Sequence, residues 1–403
     1  MKQYKNNYSV LLARIIISLM TYYQLPRNNF FTYKYIDYIE THEPPGSIIS
    51  PSQSDYLYEI KKHIGLIEKD WDIFKKYTNP YEYIHTNIPH KNKYVATCNP
   101  LSRSYFKMIE IMKIFKLEVS SKPIRSFHLA EGPGGFIEAL CKQRKCKYDK
   151  YIGMTILDDK HDPNIPAWKK TRNFLNQNKN VVIENGEDGT GNILSMTNFM
   201  YCATNYASCM DLITGDGGFD FSSDFNNQES HIANLLFAQM AFALVMQKQG
   251  GCFILKIFDS FMHHTVDLLY ILSSFYERVS IVKPHTSRYA NSEKYVVCKG
   301  FIFPNNQVFL PFLCRAFEKM TTKKEGLHIH RFLSIPINAY FLNKLEELNA
   351  IFGQQQIENI HYTVSLIENK HKQEKINNLI KNNLRKCVNW CMKHNVDYNV
   401  FDD

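Results

Sequence analysis

Between about residues 100 and 310, short apolar runs alternate with stretches of helical length, a pattern few folds accept. The runs are "RSFHLA", "YIGMTI", "VVIEN", "DLITGD", "CFILKIF", "VSIVKP" and "KYVVCKGFIF". Between them lie "GFIEALCKQRK", "HIANLLFAQMAFALVMQKQ" and "HTVDLLYILSSFYERV". Strands that read as continuous apolar runs are covered on both faces, so the pattern predicts an α/β fold with a parallel-rich sheet between helical layers. The final run has no helix before it, which suits an antiparallel strand at the edge.

The chain of 403 residues divides by composition into an extension over residues 1–98, a core over 99–312 and a polar helical extension over 313–403. Hydrophobic residues make up 44%, enough for a large core, and the formal charge of +9 suits an acidic partner such as nucleic acid. Abundant Asn, Lys, Ile and Tyr also match an AT-rich genome, so lysine placement says more than lysine number. The ten cysteines are scattered, many in apolar runs, and read as reduced thiols. Cys387, Cys391 and His394 can share a helix face but lack a fourth ligand for zinc. "VLLARIIISLM", Val10 to Met20, is too short to span a bilayer and reads as a buried amphipathic helix of a soluble intracellular protein.

"LAEGPGGFIEAL" follows the first core strand, where ligands sit in open α/β sheets. Glu131, Gly132, Pro133, Gly134, Gly135 and Phe136 form a stiff turn into a helix N-terminus, whose free N–H groups suit a carboxylate as well as a phosphate. The Gly-Lys-Ser/Thr ending of a triphosphate loop is missing. A cofactor carrying a carboxylate and an adenosine, S-adenosylmethionine, is the natural alternative. Dinucleotide sites and plain structural turns share the same signal. "DLITGDGGFDF" places Asp216 at a strand end beside two glycines, where a turn aspartate would also serve. "GGCFILKIFDSF" interrupts an apolar strand with Lys256, a costly position unless the amine has partners or reaches solvent. "SRYANSEKYVVCKGF" sets Glu293 just before another apolar strand.

Paired lysines and carboxylates suit activation of a ribose 2′-hydroxyl. An amine crowded by a second amine and partly desolvated has a lowered pKa and can take or orient the hydroxyl proton.

Four segments, "SRSYFKMIEI", "DLITGDGGFDF", "GGCFILKIFDSF" and "KPHTSRYANSEKYVVCKGF", resemble the FtsJ-like ribose 2′-O-methyltransferases, and within them the mRNA cap enzymes. The resemblance covers residues 100–305. It implies a class I S-adenosylmethionine-dependent methyltransferase fold: a Rossmann-like, mostly parallel seven-stranded sheet with an antiparallel edge strand. It further implies a Lys107, Asp216, Lys256, Glu293 tetrad in which Lys256 is central, Lys107 positions the ribose and Glu293 orients the pair. The glycine turn would hold the methionine end of the cofactor, Asp188 the adenine, and Asp216 both cofactor and Lys256. Ser287 and Arg288 become contacts for RNA, a salt bridge being the other reading of Arg288. Two positions depart from the family pattern: His128 stands where many relatives carry Asp, with Glu131 a substitute, and Asn192 stands where some have an acid.

The implied function is transfer of a methyl group to the first transcribed nucleotide of capped mRNA, with capped RNA and other capping or transcription proteins as partners and no membrane. Methylation of ribosomal or transfer RNA or of the second cap nucleotide, and a non-catalytic RNA-binding subunit, are the alternatives. Tyr77, Tyr81, Tyr83, Tyr105 and Phe106 are candidates for stacking on the cap, with core packing the competing role.

Overall fold

The computed structural model describes residues 22–117, 122–158, 167–218, 227–323 and 325–399. The segment Val10 to Met20 lies outside them. In chain order the strands are β1 (Tyr23–Leu25), β2 (Ile36–Thr41), β3 (Arg125–Leu129), β4 (Lys150–Met154), β5 (Val181–Ile183), β6 (Met210–Gly215), β7 (Gln247–Ile257), β8 (Tyr276–Val282), β9 (Lys294–Phe301) and β10 (His328–Leu333). The helices are α1 (Pro51–Leu66), α2 (Glu68–Thr78), α3 (Ser104–Phe115), α4 (Gly135–Arg144), α5 (Arg172–Gln177), α6 (Met196–Asn205), α7 (Gln228–Met246), α8 (His263–Phe275), α9 (Leu310–Thr321), α10 (Ala339–Glu368) and α11 (Gln373–His394).

All seven apolar runs are strands of one sheet, ordered β1-β8-β9-β7-β6-β3-β4-β5. Neighbours from β5 through β7 are parallel, and β9 runs against both β7 and β8. The sheet departs from the expected one in two ways. The antiparallel strand β9 is interior, and the edge beyond β8 is occupied by β1, an eighth strand from the N-terminal extension. A three-residue strand carries no periodic signal, but it covers backbone groups that β8 would otherwise leave unpaired. β10 likewise pairs with β2 in a separate two-stranded sheet, inside a region that reads as helical.

Residues alternate between the two faces of the sheet, and both faces are buried. Phe253, Leu255 and Ile257 of β7 pack into one core with α7 and α8, while Ile254 joins Tyr295 and Val297 of β9 in a second core with α3 and α4. α7 is apolar all round and is the one helix among the described residues long and apolar enough to cross a membrane; most of it is buried in the first core. A third cluster joins the flanks, with Trp71 and Phe74 of α2 against Ile360 and Leu366 of α10.

Candidate active site

The carboxyl ends of β3, β6 and β7 open on one side of the sheet, and Asp216 and Lys256 lie there. β9 runs the opposite way, so it is the start of that strand that reaches the crevice, and Tyr295 pairs with Lys256 across the ladder. Glu293 immediately precedes β9, and Lys107 enters from the first turns of α3.

These side chains form two ion pairs bridged by a phenol. Lys107 Nζ lies 2.6 Å from Glu293 Oε1, and Lys256 Nζ lies 3.3 Å from Asp216 Oδ1. Lys256 Nζ also donates to the Asp216 carbonyl at 2.7 Å. The Tyr295 hydroxyl is 3.1 Å from Asp216 Oδ1 and 3.5 Å from Glu293 Oε1. A side chain at Gly218 would come within 3.1 Å of Lys256 Nζ, so glycine keeps that approach open. Burial pushes the Lys107 ammonium below its ordinary value, opposed by Glu293. Burial alone would raise Glu293; Lys107, Lys256 and Arg103 outweigh it and hold the carboxyl well below the usual range.

A supporting network fixes the loop from Lys283 to Glu293. Lys283 Nζ donates to the carbonyls of Asn291 at 2.5 Å and Glu293 at 2.9 Å and to Asn291 Oδ1 at 3.0 Å. Burial brings its pKa down to about 7. Glu110 of α3 accepts from His285 N at 2.8 Å and Thr286 N at 3.3 Å, tying the loop to the helix that carries Lys107. Tyr295 and Lys283 escaped the sequence reading, although "VSIVKP" carries the same signal as Lys256: a lysine closing an apolar strand.

The glycine turn is shaped chiefly by packing. Gly134, at φ +106°, caps α4 in the left-handed region. A side chain at Gly135 would collide with the Ser102 and Ser104 hydroxyls, and one at Gly132 with the Ala167 carbonyl. The Pro133 carbonyl accepts from Thr171 Oγ1 at 2.9 Å, and the buried Phe136 ring lies 5.8 Å from that of Tyr295. Glu131 Oε1 accepts from Phe136 N at 2.6 Å and Ile137 N at 3.4 Å, which satisfies the first amides of α4. Its other oxygen is buried and has no hydrogen-bond partner, and burial followed by the Asp216 charge pushes the carboxyl well above its usual range. A buried, unpartnered carboxyl oxygen within the electrostatic reach of Asp216 fits a cationic group, and S-adenosylmethionine carries two, an ammonium and a sulfonium.

Several expected site residues have other partners. Asp188, expected at the adenine, is exposed, and its oxygens accept from Thr190 N at 2.9 Å, Ser195 Oγ at 2.7 Å and Asn198 Nδ2 at 2.8 Å, which organises its own loop. The Asn192 side chain accepts from Leu194 N at 2.9 Å in that loop. His128 is enclosed within the sheet between Ser126 and Thr214, each at 2.8 Å, and points at no crevice. Ser287, expected on an RNA surface, is fully buried and donates to Glu293 Oε1 at 3.0 Å. Arg288 takes the structural alternative, holding Glu82 through Nε at 3.0 Å and Nη2 at 2.5 Å. Tyr83, Tyr105 and Phe106 are core residues, and Tyr77 and Tyr81 pack against the same core. Cys387 and Cys391 are buried there too, with His394 stacked on Trp390.

The FtsJ-like methyltransferase profile matches residues 100–301, half of the chain. The chain belongs to the FtsJ-like methyltransferase family. Its relatives include the "Cap-specific mRNA (nucleoside-2′-O-)-methyltransferase 2" of Pongo abelii, 30% identical over 80% of this chain and 42% of that protein. A "methyltransferase 1" of the same description from Dictyostelium discoideum is 28% identical over 75% of this chain and 42% of its own length. One from Trypanosoma brucei brucei is 29% identical over 47% of this chain and 52% of its own. The chain thus spans about half the length, or less, of these curated relatives. The FtsJ-like core ends where β9 ends, so the flanks that build β1, β2 and the third cluster lie outside the family span.

Proposed function

We propose that this FtsJ-like protein methylates the ribose 2′-hydroxyl of the first transcribed nucleotide of capped mRNA, with S-adenosylmethionine as donor. The meeting of Lys107, Asp216, Lys256 and Glu293 around Tyr295 carries this reading. When bound, the cofactor supplies a methyl group already activated by its sulfonium. Glu131 Oε2 and the turn from Gly132 to Phe136 are the groups best placed to hold its charged end.

The chain's own residues then perform three tasks. Lys256 accepts or polarises the 2′-hydroxyl proton while Asp216 fixes its amine by side chain and carbonyl. Glu293, kept ionised, holds Lys107 against the ribose and balances the charge of the two amines. Loop residues held by Lys283 and Glu110 keep Glu293 in place, so alignment precedes substrate arrival; positioning of this kind is worth effective molarities on the order of 10⁵ M or more. A pure binding subunit would have no need to pair two lysines with two carboxylates around one phenol.

The test offers labelled S-adenosylmethionine with m7G-capped, unmethylated-cap and uncapped RNA of one sequence, followed by mapping of the methyl group. The expected product is a 2′-O-methyl on the first nucleotide of capped RNA only. Transfer to internal ribose of uncapped RNA overturns the cap reading, and transfer to a base overturns the ribose reading.

A further inference from the structure

The cations at and near the reacting centre are matched one by one, with a single remainder. Lys107 is paired with Glu293, Lys256 with Asp216 and Arg288 with Glu82. Lys283 spends its ammonium on three oxygens of Asn291 and Glu293. Arg103 has no such partner. Among the described residues it makes no ion pair, and its side chain's one hydrogen bond runs from Nη2 to the Thr286 carbonyl at a long 3.5 Å. Its Nε is buried and unpartnered.

The helix sets this guanidinium beside the chemistry. Arg103 already has helical dihedrals, φ −63° and ψ −17°, at the cap of α3. It therefore stands one turn before Lys107, about 6 Å along the axis and on the same face. Its charge acts on Glu293, Tyr295 and Glu82. Neither carboxylate is free to answer it, since each is held by another cation. His85 is no counter-ion either: burial and then the Arg103 charge keep its ring neutral, with a pKa of about 3. Burial, then the like charge of Arg288, work against the Arg103 cation. A half-buried guanidinium with five donors and one weak acceptor is unfavourable in the free protein, and an arriving anion relieves it.

The fork of an arginine matches a phosphate, which accepts two parallel N–H bonds. Arg103 shares its face of α3 with Lys107, the amine set against the ribose. That placement favours a phosphate of the substrate over the carboxylate of the cofactor. We infer that Arg103 binds the phosphodiester on the 3′ side of the ribose that is methylated, and so fixes the sugar in front of Lys256. The inference rests on the proposed ribose methylation. In RNA that phosphate hangs from the carbon next to the one bearing the 2′-hydroxyl, nearer in bonds than any other phosphate of the chain. A group that grips it sets the direction of the hydroxyl. One phosphodiester also carries the single negative charge that the matched pairs leave wanting.

The experiment is a cycle between protein and RNA. Capped RNAs of one sequence carry a neutral methylphosphonate at the first internucleotide linkage, at the second, or at neither. Wild-type protein should lose roughly 10- to 100-fold in kcat/KM when the first linkage is neutral, the effect of hydrogen bonds to a charged group. Arg103→Met should lose a similar factor on native RNA and under about twofold more on the first-linkage RNA, whereas its loss and that of the second linkage should multiply. Arg103→Lys keeps the charge without the fork and should recover part of the loss. Cofactor affinity by calorimetry should stay unchanged. Because the cation has no partner in the free protein, Arg103→Met should leave the urea midpoint at or above the wild-type value. Losses that multiply at the first linkage, coupling that sits at the second, or weakened cofactor binding overturns the inference; a lower urea midpoint marks a structural role and overturns it as well. Equilibrium binding of the same RNAs by fluorescence anisotropy, with S-adenosylhomocysteine present, needs no turnover. The same coupling there without methyl transfer supports the phosphate site and removes the catalytic reading instead; its absence overturns the phosphate site.

Discussion

The Tyr295 hydroxyl stands 3.1 Å from Asp216 Oδ1 and 3.5 Å from Glu293 Oε1, so a single proton links the two carboxylates of the centre. Burial, then the charges of Asp216 and Glu293, keep the phenol protonated well beyond its ordinary range. Tyr295→Phe removes that proton and leaves the ring in the core. The expected result is about a tenfold loss of kcat, the order of one charge-assisted hydrogen bond, with KM for RNA and cofactor affinity little changed. Steady-state kinetics and calorimetry check it.

Lys256→Ala should lower turnover by about 10³-fold or more while cofactor binding persists, because the amine acts on the substrate hydroxyl. Lys256→Arg should not restore activity, since a guanidinium stays protonated and cannot take a proton. Methyl-transfer assays beside calorimetric titration with the cofactor distinguish this from misfolding.

Arg288 tests the boundary between support and substrate contact. Its partner Glu82 is fully buried, with its carboxyl held well below the usual range despite burial because Arg288 bonds to it. Arg288→Ala strands that charge and should cost about 3 kcal/mol in urea unfolding. Adding Glu82→Gln should recover a large part of the loss. An RNA-phosphate role predicts instead unchanged stability and a shallower salt dependence of RNA binding.

Glu229 predicts a pH dependence of stability. Its oxygens accept from Met262 N at 2.9 Å and Phe261 N at 3.1 Å in the loop that follows Lys256. Burial, then the neighbouring Asp259, raise its pKa from 4.5 to about 7. A raised carboxyl contributes stability fully present below the unfolded value and lost as pH climbs through the folded one. Between pH 4.5 and 7 the loss should amount to about 3 kcal/mol. Glu229→Gln should flatten that part of the profile in urea melts across pH, while losing one amide hydrogen bond at every pH.

The strand pattern, the core helices and the four charged residues of the centre were legible because each leaves a local mark. A lysine within "CFILKIF" and a glutamate at the head of "KYVVCKGF" stand out against apolar neighbours. The rest depends on partners far away in sequence. Nothing near Arg288 announces Glu82, 206 positions earlier, and nothing near Ser287 announces that it is enclosed. The hydrogen bonds that tie Asp188 to Thr190, Ser195 and Asn198 leave no local mark either, because those neighbours look like ordinary turn residues. β1 was missed since three residues in a strand have no period, and β9 was assigned to an edge because only pairing reveals what lies beyond it.

Lys107 and Glu293 already grip one another under cover, before any RNA arrives. Removing two charges from water is a burden carried at folding, and an apolar pair of similar volume at the same place is often as stable or more so. Heat selection applied without an assay for turnover would therefore drift toward greasy replacements at these two positions. The hardiest descendants of this chain would be the ones that had forgotten their chemistry.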